Sequence, residues 1–222
     1  MSGVKNSKTR KLTMIAMLCA LAYVIMVVGR IPLVLFLKYD PKDIVIVIGG
    51  FIFGPLAAAA ISVVVAVVEM FTVSDTGVIG LFMNIISSLA FACVAAFVYK
   101  KKRTMSGAVM GLALGVVVMT ALMLLWNYII TPLYMNVSRQ EVIDLLVPVF
   151  LPFNLVKGGI NMALTILLYK PVVTALRKAR LIPEDEYAAP KVTKAKSLGL
   201  MFAALALLAT CILVVLAING II

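Results

Sequence analysis

The stretch 152-PFNLVKGGIN-161 opens an apolar run that continues through Met162, Ala163 and Leu164 to Tyr169. Such a run reads as a membrane span or a buried helix, yet its first turns carry Asn154, Lys157 and Asn161. On a helix turning roughly 100° per residue, Lys157 stands at roughly 300° from Asn154, Asn161 at roughly 340° and Thr165 at roughly 20°. The four share one stripe, with Gly158 beside it. Polar groups inside an apolar span face protein or a water-filled cavity, because lipid penalises them. A lysine about 8 Å into a helix can snorkel to the interface. Snorkelling alone does not call for flanking amides, so the stripe reads as one wall of a polar cavity.

The rest of the chain supports a membrane setting. Of its 222 residues 64% are hydrophobic, and the mean hydropathy is +1.17, where a soluble domain is nearer half apolar. The net charge of +11 does not point to nucleic acid, because Lys and Arg gather at the ends of apolar runs. There is no histidine, which removes the commonest general base and metal ligand; no metal site and no cofactor are expected. Cys19, Cys93 and Cys211 lie inside apolar runs and read as small buried hydrophobes. The first run follows basic residues and ends near Ala20-Leu21-Ala22, as a signal peptide would. It continues through Val28, longer than the ~7–15 residues of a cleaved signal, and is read as a retained span.

With about 20 apolar residues needed to cross, the spans are Leu12 to about Val28, Val78–Val98, Met105–Ile130, a segment from Pro148–Pro152 to about Ala179, and Leu198–Ile218. The long run from Ile44 to Thr72 is broken by Gly49-Gly50 and Gly54-Pro55, since proline lacks an N–H and disfavours helix before it. It divides into a short Asp43–Phe53 and a span Pro55–Phe71. The expected organisation is a basic N-terminus (1–11), a core (12–180), a polar linker (181–197) containing 183-PEDEYAAPKVTKAKS-197, and an extra C-terminal transmembrane helix (198–218). The fold class is an all-α membrane protein: a six-helix bundle plus one appended helix. Most Lys and Arg fall on one side in a topology that puts the N-terminus in the cytoplasm. Loops 29–43, 72–77 and 131–147 then lie outside, and so does the C-terminus.

Two other spans carry polar stripes: Thr120, Asn127 and Thr131 on one, and Gly80, Asn84, Ser87 and Ser88 on another. Ser87, Ser88, Thr120 and Thr165 read as inter-helix glue; Asn127, Asn154 and Lys157 read as ligand-facing, and Asn84 fits either reading. No carboxylate lies on the stripes, and Glu69 is the nearest acid, placed to pair with Lys157 or a lipid headgroup. Amides donate and accept and the ammonium donates, which suits a neutral or anionic molecule rich in carbonyls and hydroxyls. Tyr39, Trp126, Tyr128, Tyr134 and Phe153 offer flat surface for a ring, although Tyr128 and Tyr134 equally fit an interfacial aromatic belt. The loop 29-GRIPLVLFLKYDPKD-43 is apolar for an exposed connection and reads as a lid.

Over about residues 8–180 the chain resembles the substrate-binding S components of energy-coupling factor (ECF) vitamin transporters, most closely the riboflavin-specific kind. The resemblance rests on 36-FLKYDPKD-43, 49-GGFIFGP-55, 127-NYIITPLYM-135 and 152-PFNLVKG-158, with Ala16-Met17-Leu18-Cys19-Ala20 fitting an AxxxA motif on the first helix. It implies a six-helix core with both ends in the cytoplasm and riboflavin bound near the outer face. Asn127, Asn154 and Lys157 would hydrogen-bond the vitamin, supported by Asn84, Thr131 and Asn161, with Lys38, Tyr39, Asp40 and Pro41 closing above. Ala16 and Ala20 would form a flat face for the transmembrane coupling subunit. The resemblance also implies a multi-pass protein of the cell membrane that topples within the bilayer when an ATPase module changes shape. No GxxxxGK[ST] phosphate loop is present, so ATP hydrolysis is expected in partner subunits, and the chain itself is not read as an enzyme. Another vitamin or FMN as ligand is the alternative within the family. A structural membrane protein whose stripes only join helices is the alternative outside it.

Overall fold

A computed structural model describes residues 2–34, 37–179, 181, 194–218 and 220. Most of the linker 181–197, Arg180, Lys191, and Leu35 and Phe36 of the first loop lie outside the described residues, as do the side chains of Lys5, Lys194 and Lys196.

Helix α1 (Ser2–Gly29) leads into a two-stranded hairpin, β1 (Ile31–Val34) and β2 (Leu37–Tyr39), followed by α2 (Lys42–Phe53) and α3 (Pro55–Thr72). Then come α4 (Gly77–Ser88), a π-helical turn (Leu89–Cys93) and α5 (Val94–Lys102), forming one continuous rod. Helix α6 (Met105–Met135) is followed by α7 (Arg139–Leu145), a second π-helical turn (Leu146–Phe150) and α8 (Leu151–Lys178), and finally α9 (Lys194–Ile218). Among the described residues six helical stretches are long and apolar enough to cross a membrane, the last being Leu198–Ile218. Helix α2 is too short to cross, and nearly all of it is buried at the centre of the bundle. Pro55 opens α3, and Gly54 before it sits at φ 93°, a left-handed value that a side chain strains. The break expected at Gly54-Pro55 is where the backbone turns.

The first loop differs from a plain lid. It is an antiparallel hairpin pairing Ile31 with Tyr39 and Pro32 with Lys38. Leu37 and Tyr39 are buried while Lys38 between them is exposed, the period-two alternation of a half-buried strand. The segment 131–147, expected as loop, is mostly helical. Helix α6 runs on through Pro132 to Met135. Helix α7 starts at Ser138, whose hydroxyl accepts from the Glu141 N–H while Glu141 reaches back to the Ser138 N–H. That reciprocal capping is written in the sequence as Ser-x-x-Glu. The widened turn Leu146–Phe150 contains Pro148, which has no N–H to give an α-helical bond.

Close backbone approach joins α6 to the preceding rod. A Cβ added at Gly111 would lie 2.7 Å from the Ala95 carbonyl oxygen, and one at Gly115 2.6 Å from that of Phe91. Small residues four apart permit this approach between membrane helices. Gly115→Leu should push α6 off the π-helical turn, costing about 1–3 kcal/mol by overpacking. Thermal denaturation in detergent measures it as a lowered midpoint.

Candidate functional site

Asn127 and Thr131 reach a common space from α6, Asn84 and Ser87 from α4, and Asn154 and Lys157 from α8. The three stripes surround a cavity of about 350 Å³, within the ~300–1,000 Å³ typical of small-molecule sites. The hairpin contributes Lys38, and Asp40 just beyond it also lines the space. Trp126, Tyr134 and Phe153 add apolar wall. Seven sequence-predicted residues therefore meet on one cavity: Lys38, Asp40, Asn84, Asn127, Thr131, Asn154 and Lys157. Tyr39, Pro41 and Asn161 do not line it. Tyr128 stands away too, with the Arg139 guanidinium 5.3 Å over its ring.

The cavity amides are held from behind. Asn127 donates to the Met123 carbonyl (2.7 Å) and accepts from the Thr131 hydroxyl (2.8 Å), and Asn154 donates to the Phe150 carbonyl (2.8 Å). Each amide retains one N–H and acceptor capacity for a guest. Their rotamers are fixed before any ligand arrives, which lowers the ordering cost of binding.

Lys157 is buried, and its ammonium donates to Ser87 Oγ at 3.4 Å and lies 3.9 Å from Asp43 Oδ2. Asp43, wholly buried in the first turn of α2, also accepts from Ser88 Oγ (2.6 Å) and Asn161 Nδ2 (3.3 Å). Asn161 in turn accepts from the Tyr39 hydroxyl at 2.8 Å. Tyr39 and Asn161 thus connect the hairpin to α8 from outside the cavity wall. Asp43 is the carboxylate missing from the stripes. It belongs to α2, and the helix N-terminus favours its charge. The glue reading of Ser88 and Ser87 fits their bonds to α2 and α8; Thr120 and Thr165 are buried with hydroxyls that meet no partner among the described residues.

Glu69 pairs with Arg30 and Lys42 instead of Lys157, and it is buried within the protein, not turned outward to a headgroup. It accepts from the Arg30 guanidinium and from Lys42 Nζ at 2.5 Å, while Arg30 Nε donates to Asp40 Oδ1 at 2.7 Å. The end of α1, the hairpin, the start of α2 and the end of α3 are therefore tied by one ionic cluster. Lys38 pairs with Asp75 at the exposed rim (2.6 Å), a contact worth little in water. Burial alone would raise the Asp40 carboxyl, but Lys42 and Lys157, with the bond and charge of Arg30, outweigh it and hold Asp40 below its usual value. A depressed carboxylate stabilises the fold above its unfolded pKa and loses that contribution as pH falls through the folded one. The stability gap between the parent and Asp40→Asn should be flat from about pH 5 to 8 and shrink below about pH 4, read as melting temperature against pH.

Ala16 and Ala20 lie exposed on α1, away from the face that buries Met14, Leu18 and Ala22.

A short central helix ringed by long apolar ones, with a polar cavity under a hairpin at one end, defines a membrane protein built to hold a small molecule. The sequence matches the family "ECF transporter, substrate-specific component" over residues 10–169, and the chain belongs to that family of S components. Among its relatives are the riboflavin transporter FmnP of Bacillus subtilis, 31% identical over 78% of this chain and 99% of the relative, and the riboflavin transporter RibU of Staphylococcus aureus, 28% identical over 77% and 94%. A solved structure described as the S component of a bacterial ECF transporter superposes with a TM-score of 0.65 at 28% identity, over 77% of this chain and 99% of that one.

Proposed function

We propose that this chain is the riboflavin-binding subunit of an ATP-driven ECF importer. The observation carrying the reading is the convergence of Asn84, Asn127, Asn154 and Lys157 on one aromatic-walled cavity, in a chain whose relatives are riboflavin transporters. Fixed amides and an ammonium match the carbonyls, ring nitrogens and hydroxyls of a flavin with a ribityl chain. Trp126, Tyr134 and Phe153 supply flat apolar surface for the ring system.

The vitamin enters from outside beneath the hairpin, with the N-terminus cytoplasmic and the C-terminus outside. The exposed Ala16 and Ala20 face docks on a transmembrane coupling subunit, because small side chains let helices approach closely. ATP is hydrolysed by separate subunits, and this chain reorients in the membrane to release its cargo.

The direct experiment is an absorbance and fluorescence spectrum of the detergent-purified protein before and after adding riboflavin, with FMN as competitor. Quenching of flavin fluorescence at stoichiometric ratio supports the reading. No quenching with either flavin overturns it. Displacement of riboflavin by equimolar FMN moves the ligand to the flavin nucleotide.

A further inference from the structure

The relatives above account for little more than three quarters of this chain, and the family match ends at residue 169, before α9 begins. Helix α9 packs along α8, burying Ala204 and Cys211, while Leu198, Met201, Phe202, Leu205, Ile212 and Leu213 stay exposed. One close approach to the ligand helix falls just past Lys157. A Cβ added at Gly159 would lie 2.7 Å from Cys211 Sγ, with Leu207 next at 3.8 Å. A Cβ at Gly158 would lie 2.7 Å from Val116 Cγ1 of α6. At roughly 100° per residue, Lys157 faces the cavity, Gly158 faces α6 and Gly159, at roughly 200°, faces nearly opposite to Lys157. Helix α8 is therefore gripped between α6 and α9 at the height of its ammonium. Cys211 and Leu207 also share an apolar cluster with Leu33, Leu37 and Tyr39 of the hairpin and Phe153 of the cavity wall.

We propose that α9 is a positioning helix, whose Gly159–Cys211 contact sets how far α8 stands into the ligand cavity. The inference rests on the riboflavin reading of that cavity. Because Gly159 is nearly diametric to Lys157, whatever bulk between α8 and α9 is not relieved by α9 shifting outward presses Lys157 toward the space the guest occupies. Packed interiors transmit such strain, having few voids to absorb it.

The test uses the full chain carrying Gly159→Ala, Gly159→Leu, Cys211→Ala and the Gly159→Ala/Cys211→Ala pair. It reads riboflavin affinity and dissociation rate by fluorescence quenching, beside the melting temperature of the ligand-free protein. Gly159→Leu is expected to weaken riboflavin at least tenfold. Gly159→Ala should weaken it less, with faster dissociation, and the added Cys211→Ala, by removing Sγ, should restore affinity to within about twofold. Gly159→Leu should also lower the ligand-free melting temperature by overpacking, whereas Gly159→Ala should lose affinity with little change in it. The proposal is overturned if the variants bind like the parent, or if the affinity loss tracks the melting temperature and the pair restores nothing. A parent protein that binds no flavin overturns the functional reading and this inference with it.

Discussion

Glu69→Ala is expected to lower the melting temperature in detergent by about 6–12 °C, the shift that roughly 3 kcal/mol produces in a chain of this size. Glu69 is 2% exposed and joins Arg30 to Lys42, itself 2% exposed. Removing one member of a buried ion pair leaves the other charged without compensation, which costs about 3–5 kcal/mol. Among the described residues Lys42 keeps Asp40, at 3.6 Å, and a weak bond to Met26 Sδ, at 3.8 Å, so the loss falls toward the lower end. A Glu69→Ala/Lys42→Met pair should recover most of the stability, because exchanging both ions for apolar groups is often neutral. A melting temperature for Glu69→Ala within about 1 °C of the parent would show that the cluster holds nothing together.

Asp43→Ala should weaken riboflavin about 100-fold, or about 2.7 kcal/mol, although Asp43 does not line the cavity. Its carboxylate opposes the Lys157 ammonium and holds Ser88 and Asn161; through Asn161 it reaches Tyr39 of the hairpin. Without it, Lys157 loses the anion that fixes its direction, and Asn161, which ties the hairpin to α8 through Tyr39, loses a bond that orients it. Asp43→Asn keeps the shape and one acceptor, and should cost about tenfold. Titration of riboflavin fluorescence separates the two variants, and parental affinity in both would remove Asp43 from the account.

The spans and the cavity were legible in the sequence for physical reasons. Lipid enforces long apolar runs, and an amide on a helix reports its own azimuth through the 3.6-residue period. Spacing therefore put Asn154 and Lys157 on one face of α8 and Asn127 with Thr131 on one face of α6, and the family resemblance joined the two faces into one cavity. What spacing could not show was pairing across the chain. Asp43 and Glu69 lie on α2 and α3, and which cation each would meet depends on how those helices pack against α1 and α8. The hairpin was hidden by its shortness, though the alternation of Leu37, Lys38 and Tyr39 carried it. Helix α7 was announced by Ser138-x-x-Glu141 and overlooked because the surrounding residues are polar enough for a loop.

The most direct measurement of the central claim is riboflavin affinity in the parent, Lys157→Met and Asn127→Ala, read by fluorescence quenching. Each substitution removes a polar group that faces the cavity from a different helix. Parental binding at stoichiometric ratio, with at least a tenfold loss in each variant, is the predicted result. Undiminished affinity in both variants would place the ligand somewhere other than this cavity.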